Sequence, residues 1–553
     1  MLTSLLTLGL SLALPMPQGQ APVTEVLPLQ HLLGGHATAS LPPWRTLLRH
    51  PGQDDRTPDL LGLGEEPTVL TTDGALDLLR DLHNEAVAAG KLHLEPLGTG
   101  LLAIGEATEI AKVRERLRLA APLLARPVQI EFAVWDAADR ETPNPVLSAA
   151  EFTRFFANLT PVSRGTATTR HGAAVALERL RWTRYVRDLD AEVAQKQSMT
   201  RPVTEQFGEG GHAVVRAFSL LAADEFAVHV QFAAAQRRGV VRTLQTGMAG
   251  AADLELPLLE TDCGAFSGRI GNGGALAVTL RGHAAAGGQR IVTVRVSSRT
   301  PPANSVQDGL GIFPCAALTT SSLSQLPGLD DGAGHSGEPS GAEAHIPIES
   351  LLDFVRSNLG AETDGLGLRG GGGFLFASGP GPTLARIEGL LRGLQDRCVR
   401  NATVRSAGTL ALDAAAASLH ELTAPTLVGR GLSLARHLET NFLADVWATI
   451  AQEASTLDPG VELLQSGCAF TAVVTPTDEG MHLRLQLIDR HAVVPQARSI
   501  MPGGVLMTPE IALTRASHDG AVANGQPIEH GDGPNVNLDG RAYRSVLATL
   551  VRW

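Results

Sequence analysis

The chain has 553 residues, 44% of them hydrophobic and 18% charged, with a net charge of −12. That length exceeds what one core serves and points to roughly three to four domains. The apolar content excludes a disordered chain, and a negative balance with no Lys/Arg run excludes a nucleic-acid partner, which needs a basic surface.

At the N-terminus an apolar run covers residues 2–14, and small residues follow at Gly19 and Ala21. The run is too short to cross a bilayer as a helix, so residues 1–21 read as a signal peptide and the protein as exported. Residues 22–70 read as an N-terminal arm, in which His31 and His36 flank LLGG, either a metal pair or, the favoured reading, exposed polar residues.

Residues 71–140 read as a small α/β module. LDLLRDL (76–82) has helical spacing, and LLAIGEATEIAKVRERLR (101–118) is a short strand, a turn at Gly105 and a helix with Ile110, Val113 and Leu117 on one face. PVQIEFAV (127–134) follows as a strand. Gly105 sits between strand and helix, where a positive φ is expected.

Residues 141–300 read as a mainly antiparallel, sandwich-like β module. In YVRDLDAEVAQ (185–195) the residues Tyr185, Leu189, Ala191 and Val193 repeat with a period of two, which predicts a strand. Asp188, Asp190 and Glu192 fall on its other face, either a solvated surface or a cation site. AVHVQF (227–232) is another half-buried strand, and Asn272-Gly273 marks a turn. Residues 301–345, rich in Gly, Ser and Pro, read as a flexible linker.

From residue 346 the pattern repeats. LFASGPGPTLARIEGLLR (375–392) sets Gly379 on Gly105, Leu384 on Ile110, Ile387 on Val113 and Leu391 on Leu117, all 274 positions apart. Residues 346–410 therefore read as a second α/β module and 411–553 as a second β module. FLADVWATIAQ (442–452) sets Asp445 on Asp188, and Pro459 falls on Pro202, both 257 positions apart. Pro509 on Pro257 and Asn524-Gly525 on Asn272-Gly273 are 252 apart. The separations fall in order, as deletions in the second copy would make them. The second copy has Asp445, Trp447 and Thr449 where the first has three carboxylates, which argues against a metal site.

GLGLRG (365–370) fits GxGxxG, but strand-like GGGFLFAS follows where a dinucleotide site needs a helix, so it reads as a Gly-rich loop. Cys263, Cys315, Cys398 and Cys468 do not match between the copies, and the fold is expected to need no disulfide. No catalytic, cofactor-binding or metal-ligating residue is assigned. Gly105, Gly379, Asp188, Asp445, Pro202 and Pro459 are structural candidates.

GLLAIGEATEIAKVRERL (100–117), RPVQIEFAVWDA (126–137), RPVTEQFGEGGHAVVRAFSLLAADEFAVHVQF (201–232) and LELPLLETDCGAFSGRIGNGGALAVTLRG (254–282) occur in that order. They resemble the secretin family, the ring-forming outer-membrane proteins of bacterial type II and III secretion systems and type IV pili. The resemblance implies an α+β fold: two tandem copies of a ring-building (KH-like) α/β module, each followed by a secretin-core-like β module. It implies a non-enzymatic, exported assembly component in the periplasm or at the outer-membrane periphery, with protein partners or self-association, no cofactor and no small-molecule substrate. The alternative is a soluble periplasmic binding or scaffold module that keeps the fold without a pore. Alternating runs near six residues, with 2 Tyr and 5 Trp in the chain, predict that it forms no transmembrane pore by itself.

Overall fold

The structure, a computed structural model, describes residues 22–29, 72–319 and 346–553. Within these ranges it leaves out 99, 125, 139, 195–196, 223, 240–241, 245–253, 283–287, 301–304, 308, 364–365, 372, 413–415, 452–453, 478–479, 494–497, 502–503, 507–509, 533–535 and 539–540. The expected signal peptide, His31, His36, Pro509 and most of the expected linker lie outside the described residues.

The first α/β module holds β1 (Val23–Pro28), α1 (Thr72–Leu82), α2 (Asn84–Ala88), β2 (Leu92–Leu97), β3 (Gly100–Gly105) and α3 (Ala107–Leu124). Its antiparallel sheet has the order β1-β3-β2. Alternate residues Leu92, Leu94, Leu101 and Ala103 are buried against Leu79, Ile110 and Val113 of the helices.

β4 (Pro127–Asp136), expected to close the α/β module, instead opens the first β module, where it pairs with Pro161–Arg170 and Gln289–Ser297. β5 (Val146–Leu147), α4 (Ala149–Phe156) and β6 (Pro161–Arg170) follow. Two long strands follow, β7 (Ala174–Ala194) and β8 (Gln197–Ser219), then β9 (Glu225–Arg237), β10 (Arg242–Leu244) and β11 (Leu254–Leu256). It ends with β12 (Leu258–Gly271), β13 (Ala275–Arg281) and β14 (Gln289–Ser297).

The second α/β module holds β15 (Val306–Gln307), β16 (Leu310–Pro314), α5 (Ala316–Thr319), α6 (Ile348–Leu359), β17 (Gly367–Gly371), β18 (Phe374–Ser378) and α7 (Gly381–Cys398). Two expectations change here. Residues 306–319, read as linker, belong to this module: β16 pairs with β18 because its alternate residues have an apolar surface to cover on each face. GLGLRG is no loop either, since Gly367–Gly371 forms β17 along β18.

β19 (Asn401–Leu412), expected through residue 410 to belong to the α/β module, instead opens the second β module, where it pairs with Ala416–Leu427 and Arg541–Arg552. β20 (Ala416–Leu427), β21 (Gly431–Ala451) and β22 (Ala454–Thr477) follow. It continues with β23 (Gly480–Val493), β24 (Arg498–Met501), β25 (Gly504–Leu506) and β26 (Glu510–Val522). It closes with β27 (Pro527–Asp532), β28 (Val536–Leu538) and β29 (Arg541–Arg552).

The strands of both β modules merge into one sandwich. One sheet has eight strands in the order β26-β23-β22-β21-β12-β9-β8-β7. The other runs β27-β29-β19-β20-β13-β14-β4-β6, with β5 on β13 and β28 on β29. Phe132, Phe232, Phe266, Val292, Leu422, Leu434 and Phe470 fill the space between them. The class is β-rich α+β.

The strands are far longer than the alternating runs suggested. AVHVQF lies inside the 13-residue β9, and HLRLQL (482–487) inside the 14-residue β23. The hairpins β7–β8 and β21–β22 are built from strands of 21 to 24 residues. Arg181 and Arg184 interrupt the apolar alternation without interrupting the ladder, and Arg187 is the unpaired residue of a β-bulge. The far end of β7–β8 packs against β21–β22 through Leu189, Phe442, Leu443, Val461 and Leu464, so the eight-stranded sheet curls. Small residues, Ala233, Cys263, Ala435 and Ala469, cluster in a separate buried patch on this sheet.

Candidate functional site: the seam between the two halves

The sandwich is continuous because each sheet crosses from one half of the chain to the other. In the eight-stranded sheet β12 pairs with β21, from Leu258 opposite Thr440 to Ala265 opposite Ser433. In the other sheet β13 pairs with β20, from Thr279 opposite Thr423 to Arg281 opposite Glu421. Gly264 permits the first crossing, since a Cβ there would stand 2.6 Å from Leu434 Cδ2 and 2.7 Å from the Ser433 oxygen.

A buried ionic network lies across this seam. On β12, Glu260 and Asp262 share the inward face of Phe266. Arg290 of β14 donates to Asp262 Oδ2 at 2.5 Å, to Glu260 Oε2 at 3.2 Å and to Gln236 at 2.7 Å. Arg436 of β21 comes from the other half. It pairs with Glu260 and donates to the backbone oxygens of Leu280 at 2.5 Å and Gly288 at 3.1 Å. Arg238 also reaches Glu260. Burial works against the charge on Arg290, but Asp262 and Glu260 outweigh it and hold its pKa above the ordinary arginine value. Two carboxylates are thus held by Arg290, Arg436 and the more exposed Arg238, and neither half alone supplies the full set.

The two halves repeat one another in hydrogen-bonding detail. Gly273 N donates to Val296 O, and Gly525 N to Val551 O, both at 2.8 Å. Asn272 exchanges two hydrogen bonds with Ser298, as Asn524 does with Trp553. A β-bulge precedes Asp188 in β7 and Asp445 in β21. Pro202 stands opposite Leu189, and Pro459 opposite Val446. Asp188 accepts from Leu189 N at 2.8 Å, and burial pushes its pKa up.

The six structural candidates thus separate into two groups. Asp188, Pro202, Asp445 and Pro459 mark equivalent places in the long hairpins. Gly105 and Gly379 lie in the α/β modules, and neither takes the positive φ expected of it. Gly105 is held to glycine by crowding, because a Cβ would stand 2.1 Å from the Lys91 oxygen. At Gly379 a Cβ would meet the flexible end of Leu366 at 2.9 Å. The matched glycines that do take a left-handed φ are Gly273 and Gly525 of the turns, at +76° and +73°. Among the described residues no three His, Cys, Asp or Glu side chains come together as a metal site, and all four cysteines are free thiols.

Sequence reasoning missed the ionic network. Its signal was present: in LLETDCGAFSG, Glu260 and Asp262 have the same parity as Phe266, so a strand that buries the phenylalanine buries both carboxylates.

No family model and no curated protein matches the chain. Solved structures do match. The secretin-domain β-barrel of InvG from the Salmonella SPI-1 injectisome is 16% identical over 37% of this chain and 80% of that one, with a TM-score of 0.18. The Salmonella SPI-1 type III secretion injectisome secretin InvG is 9% identical over 50% and 85%, with a TM-score of 0.23. Aeromonas hydrophila ExeD is 10% identical over 97% and 90%, with a TM-score of 0.19. The likeness is one of fold only, and at these TM-scores a functional reading has to stand on the chain's own geometry.

Proposed function

We propose that the chain is a non-enzymatic, exported, secretin-like assembly component of a type II/III-like envelope secretion system, at the periplasm or outer-membrane periphery, and that it joins copies of itself edge to edge. The observation that carries this is the seam. Within the chain, β12 and β13 of the first half accept β21 and β20 of the second. The elements equivalent to β12 and β13 in the second half are β26 and β27, and those equivalent to β21 and β20 in the first are β7 and β6. These four strands end the two sheets. One end of the sandwich therefore repeats the donor side of the seam and the other its acceptor side. Such a heterologous pair closes into a ring or extends as a filament.

Light scattering after size exclusion on the purified chain tests this. A discrete assembly of many copies supports it, and a monomer across the micromolar range overturns it in favour of the soluble binding or scaffold module. One observation favours that second reading: where side chains are described, the long hairpins expose no large hydrophobic residue, and the exposed Val23, Val26, Leu97 and Val162 lie elsewhere.

A further inference from the structure

We infer that the open face of the β1-β3-β2 sheet is a docking surface for the α6–α7 side of a second copy of this chain. The inference rests on the self-association proposed above and names where the α/β modules meet. Its ground is a contact already made within the chain. Leu310, Ile312, Phe374 and Phe376, from one face of the β16-β18-β17 sheet, are buried with Leu78 and other residues of the first module. Helices α1 and α3 lie on that face. The opposite face, with Phe313, Leu375 and Ala377, packs on α6 and α7. The layers run sheet, helices, sheet, helices, which leaves a sheet face at one end and a helical face at the other.

The two ends match by position. Ile312 is the cross-strand neighbour of Phe376, and Val26 is that of Leu102. Leu102 and Phe376 are equivalent residues, 274 apart. Val26 is 56% exposed and Leu97 50%, whereas Ile312 is 2% and Phe376 3%. The same face is thus covered in the second module and open in the first. On the helical end Phe354 takes the place of Leu78, and it lies half-buried with Leu390 and Leu394.

Charge follows the same logic. Within the chain Asp81 of α1 pairs with Arg369 of β17. At the open ends Glu95 stands for Arg369 and Ser357 for Asp81. Had only the arginine changed, two carboxylates would oppose each other across the contact. The paired change leaves the ends compatible with each other, and it makes the contact between chains chemically different from the one within a chain.

Cysteine cross-linking between copies tests the inference. In a Cys398→Ser background, Val26→Cys and Phe354→Cys proteins are prepared separately, mixed and mildly oxidised. A reducible band of two chains, formed in the mixture and absent from either protein alone, is expected. A Val26→Glu variant that melts like the unmodified chain should assemble at least tenfold more weakly by light scattering. If the unmodified chain is monomeric, the assembly reading and this contact both fall. If it assembles but the mixture does not cross-link and Val26→Glu assembles normally, this contact alone is wrong and the β edges suffice.

Discussion

Arg436 lies between the sheets at 3% exposure, and Arg290 at 2%. A buried ion pair seldom adds much net stability, since desolvation offsets the attraction, but removing one member strands the other. The fully buried Phe132, Phe232, Phe266 and Phe470, each worth roughly 1.5–3 kcal/mol, do the stabilising. The network instead fixes which strand lies against β12 and in which register, because a slip of one residue would turn Arg436 away from Glu260. Arg436→Met should cost about 3 kcal/mol, the lower end for a broken buried pair, because Arg238 also serves Glu260. A urea midpoint unchanged at constant slope would refute it. The histidines make a second residue-scale argument. His171 accepts a hydrogen bond from Ser219 N at 2.8 Å through Nδ1 and is packed on Phe374. Burial, aided by Arg126, lowers its pKa to about 3, and burial lowers those of His83 and His420 to about 4. Below pH ~6.5 the unfolded chain takes up protons that these folded sites refuse, so stability is full above that pH and falls toward pH 3–4. Melting temperatures across pH 7 to 4 should fall, and less steeply in His171→Gln. A flat profile would show that these rings do not govern acid stability.

Helix α4 shows what separates the two halves at the level of elements. A capping box starts it, with Ser148 and Glu151 each bonded to the other's backbone N–H. Phe152 and Phe156 pack on Trp135, with ring centroids 6.4 and 4.5 Å away. Together they cover Ala133, Ala275 and Ile291 on the outside of the ten-stranded sheet. Between Gly379 and Asp445 the separation of matched residues falls from 274 to 257, about what loss of α4 and its connections would remove. At the position of Trp135 the second copy has Thr409, which needs no such cover. Phe156→Ala should therefore cost about 3–5 kcal/mol and shift Trp135 emission to the red. Unchanged emission would mean that α4 does not shield the indole. The sequence showed the helices of both α/β modules because Ile110, Val113 and Leu117 recur as Leu384, Ile387 and Leu391 at helical spacing. It showed the Asn-Gly turns for the same local reason. It hid β17, whose Gly residues read as loop, and β16, whose partner β18 lies 60 positions on, and residues 92–97 carried no reading as the strand β2. Pairing across such distances leaves no periodic trace, so parity with Phe266 could show that Glu260 and Asp262 are buried but not that Arg436 would reach them.

For the whole molecule, the remaining question is whether the long hairpins enter a bilayer. The expectation that they do not rested on runs of about six residues, and strands of 21 to 24 residues remove that ground. Length alone would now permit a crossing, since a tilted strand of ~9–11 residues spans the hydrocarbon core. Side-chain chemistry decides the other way. On β7 the exposed positions include Glu178, Arg179, Arg181, Arg184 and Asp190, and on β8 Arg201. Its apolar residues beside the bulge are covered instead, on opposite faces: Tyr185 is 2% exposed, against Phe207, and Leu189 0%, against the second hairpin. An arginine at the bilayer midplane costs about 2–4 kcal/mol, and several along one strand cannot all lie at the interfaces. Among the described residues no helix is long and apolar enough to cross a membrane. The purified chain added alone to a planar bilayer is therefore expected to give no defined conductance steps and to stay with the aqueous fraction on vesicle flotation. Discrete steps would mean that assembly uncovers Leu189, separating the two hairpins that pack together here. Abolition of those steps by a disulfide between Leu189→Cys and Leu443→Cys would identify the movement.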